Sequence, residues 1–120
     1  MARFLIVDDS KLARAILKDI LVEAGHEVVA EAVNGVEGEE MYFKHKPDIV
    51  TLDNVMPDAE GKDCLQNIIA KDPDAKVIMV SSVGKENLVI EELKMGAKNY
   101  IVKPVEKENV LAVVASVLGR

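Results

Sequence analysis

Cysteine, aromatic residues and long apolar runs are scarce in this sequence, and each shortage excludes a class of protein. A single cysteine, Cys64, rules out an internal disulfide and any metal cage built from thiolates. Aromatic residues make up only 3% of the chain and tryptophan is absent, which argues against stacking platforms for bases or sugars. The N-terminal apolar run covers only residues 4–7, and no run approaches the roughly 20 apolar residues of a membrane span.

The charge balance narrows the choice further. Fifteen Lys and Arg residues face 21 Asp and Glu residues, so the net charge is −6. Direct binding of nucleic acid needs a basic face to neutralise phosphates and is therefore not expected. With 49% hydrophobic residues in 120, the chain can build one core. We expect a soluble, acidic, cytoplasmic protein that forms a single domain over residues 1–120 and has no membrane partner.

Short apolar runs alternate with segments of helical periodicity. The runs predict strands at residues 4–7, 27–32, 48–53, 76–81 and 99–102. Apolar residues at three- and four-residue spacing predict a helix between Ser10 and Gly25, and others at residues 36–44, 62–71, 87–95 and 106–118. Strands that each precede a helix predict an α/β fold, with a parallel sheet covered by helices on both faces.

Helical periodicity also assigns side chains to the inner or outer face of each helix. The inner face of the first helix is expected to hold Leu12, Ala13, Ile16, Leu17, Ile20 and Leu21. Cys64 lies on the apolar face of the third helix and is interpreted as a core residue. Glu91 and Glu92 are interpreted as an ordinary solvated face of the fourth helix.

Polar residues stand where the predicted strands end. In chain order they are Asp8 and Asp9, Asp53, Ser81 and Ser82, and Lys103. Ligands of open α/β sheets bind at the carboxyl ends of the strands, so we expect these side chains to converge on one edge of the sheet. Each residue alone is more simply a helix cap or a turn residue, and only the combination is informative.

The chemistry of the combined set favours phosphoryl transfer. Three carboxylates in one place repel each other unless a cation joins them, and Mg²⁺ prefers such hard oxygen ligands. A lysine adds a second positive charge, and a hydroxyl adds a hydrogen-bond donor. A carboxylate nucleophile, Mg²⁺, lysine and hydroxyl together are typical of a site where positioning and charge neutralisation carry the reaction.

Four ordered motifs carry a resemblance to a known family. They are LIVDDS at residues 5–10, TLDNVMPDAEG at 51–61, VSS at 80–82 and GAKNYIVKP at 96–104. The chain resembles the receiver domain of bacterial two-component response regulators, and most closely the stand-alone chemotaxis response regulators. The resemblance implies a flavodoxin-like (βα)5 doubly wound fold with strand order 2-1-3-4-5, an order of which the chemotaxis regulators are themselves a known example.

The resemblance also implies roles for the acidic residues. Asp53 would be the phosphoacceptor. Asp8 and Asp9 would hold Mg²⁺, together with Asp53 and the backbone carbonyl of Val55.

The remaining motif residues would respond to the phosphoryl group. Ser81, which stands where threonine is commonest in the family, would donate a hydrogen bond to it, and Lys103 would pair with it. Tyr100 resembles the aromatic residue that changes rotamer in the switch, with Ser81 as its trigger. The bond between Lys103 and Pro104 resembles a position that is often cis.

The function implied is that of a phosphorylated signalling protein. A histidine kinase would donate the phosphoryl group, and the receiver would catalyse only its own phosphorylation and dephosphorylation. The downstream target would be the flagellar motor switch protein, because the chain ends at Arg120, directly after the fifth predicted helix. We also expect a phosphatase partner, because Val55 and Val83 cannot orient a water for hydrolysis of the aspartyl phosphate.

Two alternatives remain open. The chain could be an isolated receiver module of a larger regulator, such as a transcription factor. The more remote alternative is a phosphatase of the haloacid dehalogenase type. Such an enzyme usually has a second aspartate, its general acid and base, two residues after the nucleophile, but Val55 occupies that position here.

Overall fold

The computed structural model describes residues 1–54, 56 and 61–119, and in these ranges five strands alternate with five helices. The strands are β1 (Arg3–Val7), β2 (Glu27–Ala32), β3 (Ile49–Asp53), β4 (Val77–Ser82) and β5 (Asn99–Lys103). The helices are α1 (Lys11–Glu23), α2 (Gly35–His45), α3 (Gly61–Lys71), α4 (Glu86–Met95) and α5 (Lys107–Leu118). The predicted bounds lie within one residue of these.

The strands form one parallel sheet in the order β2-β1-β3-β4-β5, which confirms the predicted fold and topology. The chain first steps outward from β1 to β2 and then returns to the other side of β1. The strand order therefore reverses between β1 and β3, where open α/β sheets place their ligands. Asp8 and Asp53 stand at the carboxyl ends of these two neighbouring strands.

Alternate residues of each central strand face opposite helical layers. In β1, Leu5 and Val7 pack with residues of α2 and α3, whereas Phe4 and Ile6 pack with residues of α1 and α5. All four side chains are buried, as expected for a parallel sheet covered on both faces.

The inner face of α1 is narrower than its periodicity predicts. Leu17 and Leu21 are buried, but Leu12 is 71% exposed and Ile16 is 43% exposed. The physical reason is the position of the helix: its first turns lie at the edge where the strands end. There Ile16 lines a groove that also contains Pro104 of the β5–α5 loop.

The structure confirms the predicted burial of Cys64 but not the predicted exposure of Glu92. Cys64 is buried as predicted, and burial, with a smaller effect from the carboxylate of Glu39, raises its pKa to about 12. The prediction for Glu92 is wrong, because this side chain is fully buried, while that of Glu91 is exposed.

Candidate functional site

Three carboxylates meet at the point where the strand order reverses. One oxygen from each of Asp8, Asp9 and Asp53 lies within 4.8 Å of the others. Asp8 and Asp53 are buried, and Asp9 is exposed on the solvent side of the cluster. The predicted convergence of these three residues is therefore present in the structure.

The turn after β1 is fixed by hydrogen bonds at Asp8. Its amide N–H donates to the carbonyl of Ala32, over 3.0 Å, and its carboxylate Oδ1 accepts from the amide of Ser10, over 2.9 Å. Arg14 donates to the carbonyl of Asp8 from its guanidinium, over 2.7 Å, and also pairs with Glu31. These contacts hold one carboxylate oxygen of Asp8 in the turn and direct the other toward the cluster.

Lys103 supplies a cation to the same cluster. Its Nζ lies 2.9 Å from Oδ2 of Asp8 and 3.5 Å from Oδ2 of Asp53. Burial acts to lower the pKa of Lys103, but the hydrogen bond to Asp8 and the negative charges of Asp53 and Asp8 outweigh it, so the pKa is raised. The ammonium form is thus favoured between the two carboxylates. The bond from Lys103 to Pro104 is cis.

Ser81 is fully buried at the end of β4, next to Val102 of β5 in the sheet. Its Oγ accepts a hydrogen bond from Nδ2 of Asn54 over 3.0 Å and donates to the carbonyl of Ser82 over 3.3 Å. The hydroxyl therefore has defined partners on both sides, and Ser82 itself is exposed.

The first residue of α3 approaches the end of β3 very closely. A Cβ at Gly61 would lie 2.1 Å from the carbonyl oxygen of Asp53 and 2.6 Å from Cα of Asn54. The amide of Gly61 donates to the carbonyl of Asn54 over 3.2 Å. Only glycine allows this packing, which fixes the backbone that carries Asp53.

Two of the residues to which the family resemblance assigns a role are not part of the carboxylate cluster described above. Tyr100 is 41% exposed on β5, where its ring borders a groove of about 260 Å³ between α4 and β5. Val55, the implied carbonyl ligand, lies outside the described residues.

Sequence reasoning missed two buried polar residues beside the site. Asn54 directly follows Asp53 and is 1% exposed, and its Nδ2 also donates to Oε1 of Glu92, over 3.3 Å. The position of Asn54 next to a strand-end aspartate was a usable signal. Glu92 gave none, because a glutamate in an amphipathic helix is usually solvated.

The donor set fits a divalent cation. Three carboxylate oxygens in mutual proximity are hard ligands of the kind that Mg²⁺ takes in small number, with water completing its shell. A cation there would relieve the repulsion between the carboxylates. The nearby ammonium of Lys103 could then pair with a further anionic group.

Among the described residues, no helix combines the length and the apolar character needed to cross a membrane.

Comparisons with known proteins agree on one family. Residues 4–115 match the response regulator receiver domain. The chain is 49% identical over 111 residues to the chemotaxis protein CheY of Listeria monocytogenes, with 92% of this chain and 93% of the relative covered. It is 45% identical over 117 residues to CheY of Bacillus subtilis, with 98% of each chain covered.

Solved structures give the same result. A chain in the crystal structure of the CheX–CheY–BeF3–Mg²⁺ complex from Borrelia burgdorferi is 43% identical, with a TM-score of 0.93, and the match covers 97% of this chain and 88% of that one. The resemblance stated from the motifs is thereby confirmed. The chain belongs to the response regulator receiver domain family and is similar to chemotaxis response regulators of the CheY type.

Proposed function

We propose that the protein is switched by phosphorylation of Asp53. The observation that carries the proposal is the meeting of the three carboxylates with Lys103 at the reversal of strand order. Receiver domains bind Mg²⁺, and the residues that would hold it here are Asp8, Asp9 and Asp53, with the backbone carbonyl of Val55. When bound, Mg²⁺ supplies charge neutralisation for the phosphoryl oxygens.

The proposed reaction is one in-line displacement. A carboxylate oxygen of Asp53 attacks the phosphorus of a phosphohistidine on the kinase. The P–N bond breaks, and its electron pair stays on the imidazole of the kinase. Asp53 is suited to this role because its carboxylate lies beside Lys103 and its backbone is fixed by the close approach of Gly61.

Lys103 and Ser81 then bind the phosphoryl group on Asp53. Phosphorylation raises the negative charge at Asp53 to about −1.5 to −2 and adds three acceptor oxygens. This strengthens the attraction of the Lys103 ammonium and offers an acceptor to the Ser81 hydroxyl. The new contacts favour one of two conformations of the α4–β5 face, in which Tyr100 moves into its groove.

The partners follow from the relatives. Identity of 45–49% to chemotaxis proteins supports a histidine kinase as donor and the flagellar motor switch protein as target. The Borrelia relative is complexed with a second protein, CheX, in its BeF3–Mg²⁺ form, which supports a partner that recognises the phosphorylated state and could promote dephosphorylation. The protein itself would catalyse only the gain and loss of its own phosphoryl group.

Acetyl phosphate tests the proposal directly. With Mg²⁺, the intact protein should gain the mass of one phosphoryl group, and the gain should disappear in Asp53→Asn and after chelation of the metal. Asp63→Asn is a matched control, since Asp63 is an exposed aspartate on α3. Phosphorylation that persists in Asp53→Asn, or that ignores chelator, would contradict the assignment.

A further inference from the structure

Glu92 is a buried carboxyl group on a helix whose other acidic residues are exposed. Its side chain has 0% exposure, and Oε1 accepts a hydrogen bond from Nδ2 of Asn54 over 3.3 Å. The neighbouring Glu91 is exposed and pairs with Lys62. Burial of a carboxyl group is costly unless it is hydrogen-bonded, so this position is more than a solvated helix face.

Asn54 connects Glu92 to the phosphorylation site. The Nδ2 atom of its side-chain amide carries two N–H groups. It donates one hydrogen bond to Glu92 and another to Oγ of Ser81. An ionised carboxylate only accepts hydrogen bonds, so Glu92 requires the nitrogen side of the amide and fixes its orientation. The backbone of Asn54 is held as well, by bonds to the carbonyl of Val80 and from the amide of Gly61.

The Ser81 hydroxyl is thereby committed to a resting arrangement. It has a single proton, which it donates to the carbonyl of Ser82 while Oγ accepts from Asn54. To donate to a phosphoryl group on Asp53, the hydroxyl has to redirect this proton. The bond from Asn54 restricts that movement, because it fixes the position of Oγ.

We propose that Asn54 and Glu92 act as a positioning pair that holds Ser81 in its resting state and couples it to α4. The inference rests on the proposed phosphorylation of Asp53. When Ser81 turns toward the phosphoryl group, the amide of Asn54 readjusts, and Glu92 transmits the change to the helix that borders the α4–β5 groove. Loss of Glu92 frees the amide and makes the phosphorylated-like state easier to reach.

Beryllofluoride with Mg²⁺, a mimic of the phosphoryl group, is the probe. Titration calorimetry should show about tenfold tighter binding to Glu92→Ala than to the unmodified protein, equivalent to about 1.4 kcal/mol. Glu92→Gln should bind with unchanged affinity, because its amide oxygen still accepts from Asn54. Glu91→Ala, which removes an exposed carboxylate from the same helix, should also leave the affinity unchanged.

Repeating the titration in a Ser81→Ala variant distinguishes an effect of Glu92 on the Ser81 hydroxyl from a general effect on packing. In Ser81→Ala, the substitution Glu92→Ala should no longer alter beryllofluoride affinity, because the pair acts through the Ser81 hydroxyl. An affinity within twofold of the unmodified protein in Glu92→Ala, or a gain that persists in Ser81→Ala, would overturn the pair. Failure of the unmodified protein to bind beryllofluoride with Mg²⁺ would instead overturn the phosphorylation proposal, and the pair with it.

A measurement on the unmodified side chain covers the case in which Glu92→Ala does not fold. With ¹³C-labelled glutamate, the carboxyl carbon of Glu92 is assigned by its loss in Glu92→Gln. Its resonance should shift when beryllofluoride and Mg²⁺ saturate the site, and that of Glu91 should not. An unchanged Glu92 resonance would refute the coupling.

Discussion

Lys103 places one ammonium group against the carboxylates of Asp8 and Asp53, at 2.9 and 3.5 Å. Asp9 adds a third carboxylate on the solvent side, so three negative charges face one positive charge in the cluster. Like charges at such separations raise the free energy of the folded state. A divalent cation would remove this cost, and so would the loss of one carboxylate.

Asp9→Asn should therefore stabilise the metal-free protein. We expect its melting temperature without metal to rise by a few degrees, because one like charge leaves the cluster. The stabilisation that Mg²⁺ gives the unmodified protein by mass action should be lost at the same time. Thermal unfolding with chelator and with Mg²⁺ measures both effects.

Asp19→Asn is the matched control, since it removes an exposed carboxylate from α1 outside the cluster. It should leave the response to Mg²⁺ intact. A lower metal-free melting temperature in Asp9→Asn, or a retained metal response, would mean that the three carboxylates are not crowded as the distances indicate.

The residues that could be predicted from the sequence share one property. Asp8, Asp53 and Lys103 stand at the carboxyl ends of strands, and the topology of a parallel sheet brings these ends together whatever the details of packing. Asn54 directly follows a strand-end aspartate and carried a usable signal, whereas Glu92 could not be predicted, because its burial depends on how α4 packs over the sheet. A glutamate three residues before the last residue of a helix carries no local sign of burial.

Among the elements, α3 shows how a single glycine positions the site. The helix begins at Gly61, against the backbone of Asp53 and Asn54, where a Cβ would lie 2.1 Å from a carbonyl oxygen. Gly38 is also close-packed, but a Cβ there would meet the γ carbons of Val7 at 3.0 and 3.1 Å. A side chain can yield where a strand backbone cannot.

Gly61→Ala and Gly38→Ala should therefore differ. Gly61→Ala should destabilise the fold by about 3 kcal/mol or more and slow phosphorylation by acetyl phosphate, because α3 must move away from Asp53. Gly38→Ala should change stability by less than about 1 kcal/mol, because the gain in helix propensity offsets the tight contact. Urea unfolding measures the stability of each variant, and mass spectrometry measures its rate of phosphorylation by acetyl phosphate. Equal effects of the two substitutions would show that the Gly61 contact does not position Asp53.

The bounds of the elements could be predicted closely, because each strand is a short apolar run and each helix has regular spacing. The exposure of Leu12 and Ile16 could not. Periodicity shows which residues share a helix face, but it does not show how far the sheet extends beneath that face.

For the whole molecule, the proposed phosphorylation site and the proposed partner surface lie on neighbouring elements rather than in one place. Tyr100 is 41% exposed beside the groove between α4 and β5, whereas Asp53 is buried at the end of β3. Lys103 belongs to the site and also ends β5, the strand that carries Tyr100. A shift between two conformations of this half of the molecule would link the two places.

Two conformations make a specific prediction for backbone amide resonances along the groove. For Val89 and Val102, the peak positions of the free and the beryllofluoride–Mg²⁺ forms define a line, and any mixture of the two states falls on it. Lys103→Arg should still bind beryllofluoride, but its peaks should move less than about half of the full distance along that line. The reason is that a planar guanidinium does not replace the compact ammonium that would pair with the phosphoryl group.

Lys98→Arg is the matched control, since Lys98 is an exposed lysine just before β5, and its peaks should move the full distance. Full displacement in Lys103→Arg would mean that Lys103 does not carry the signal, and peaks off the line would mean that more than two states are involved.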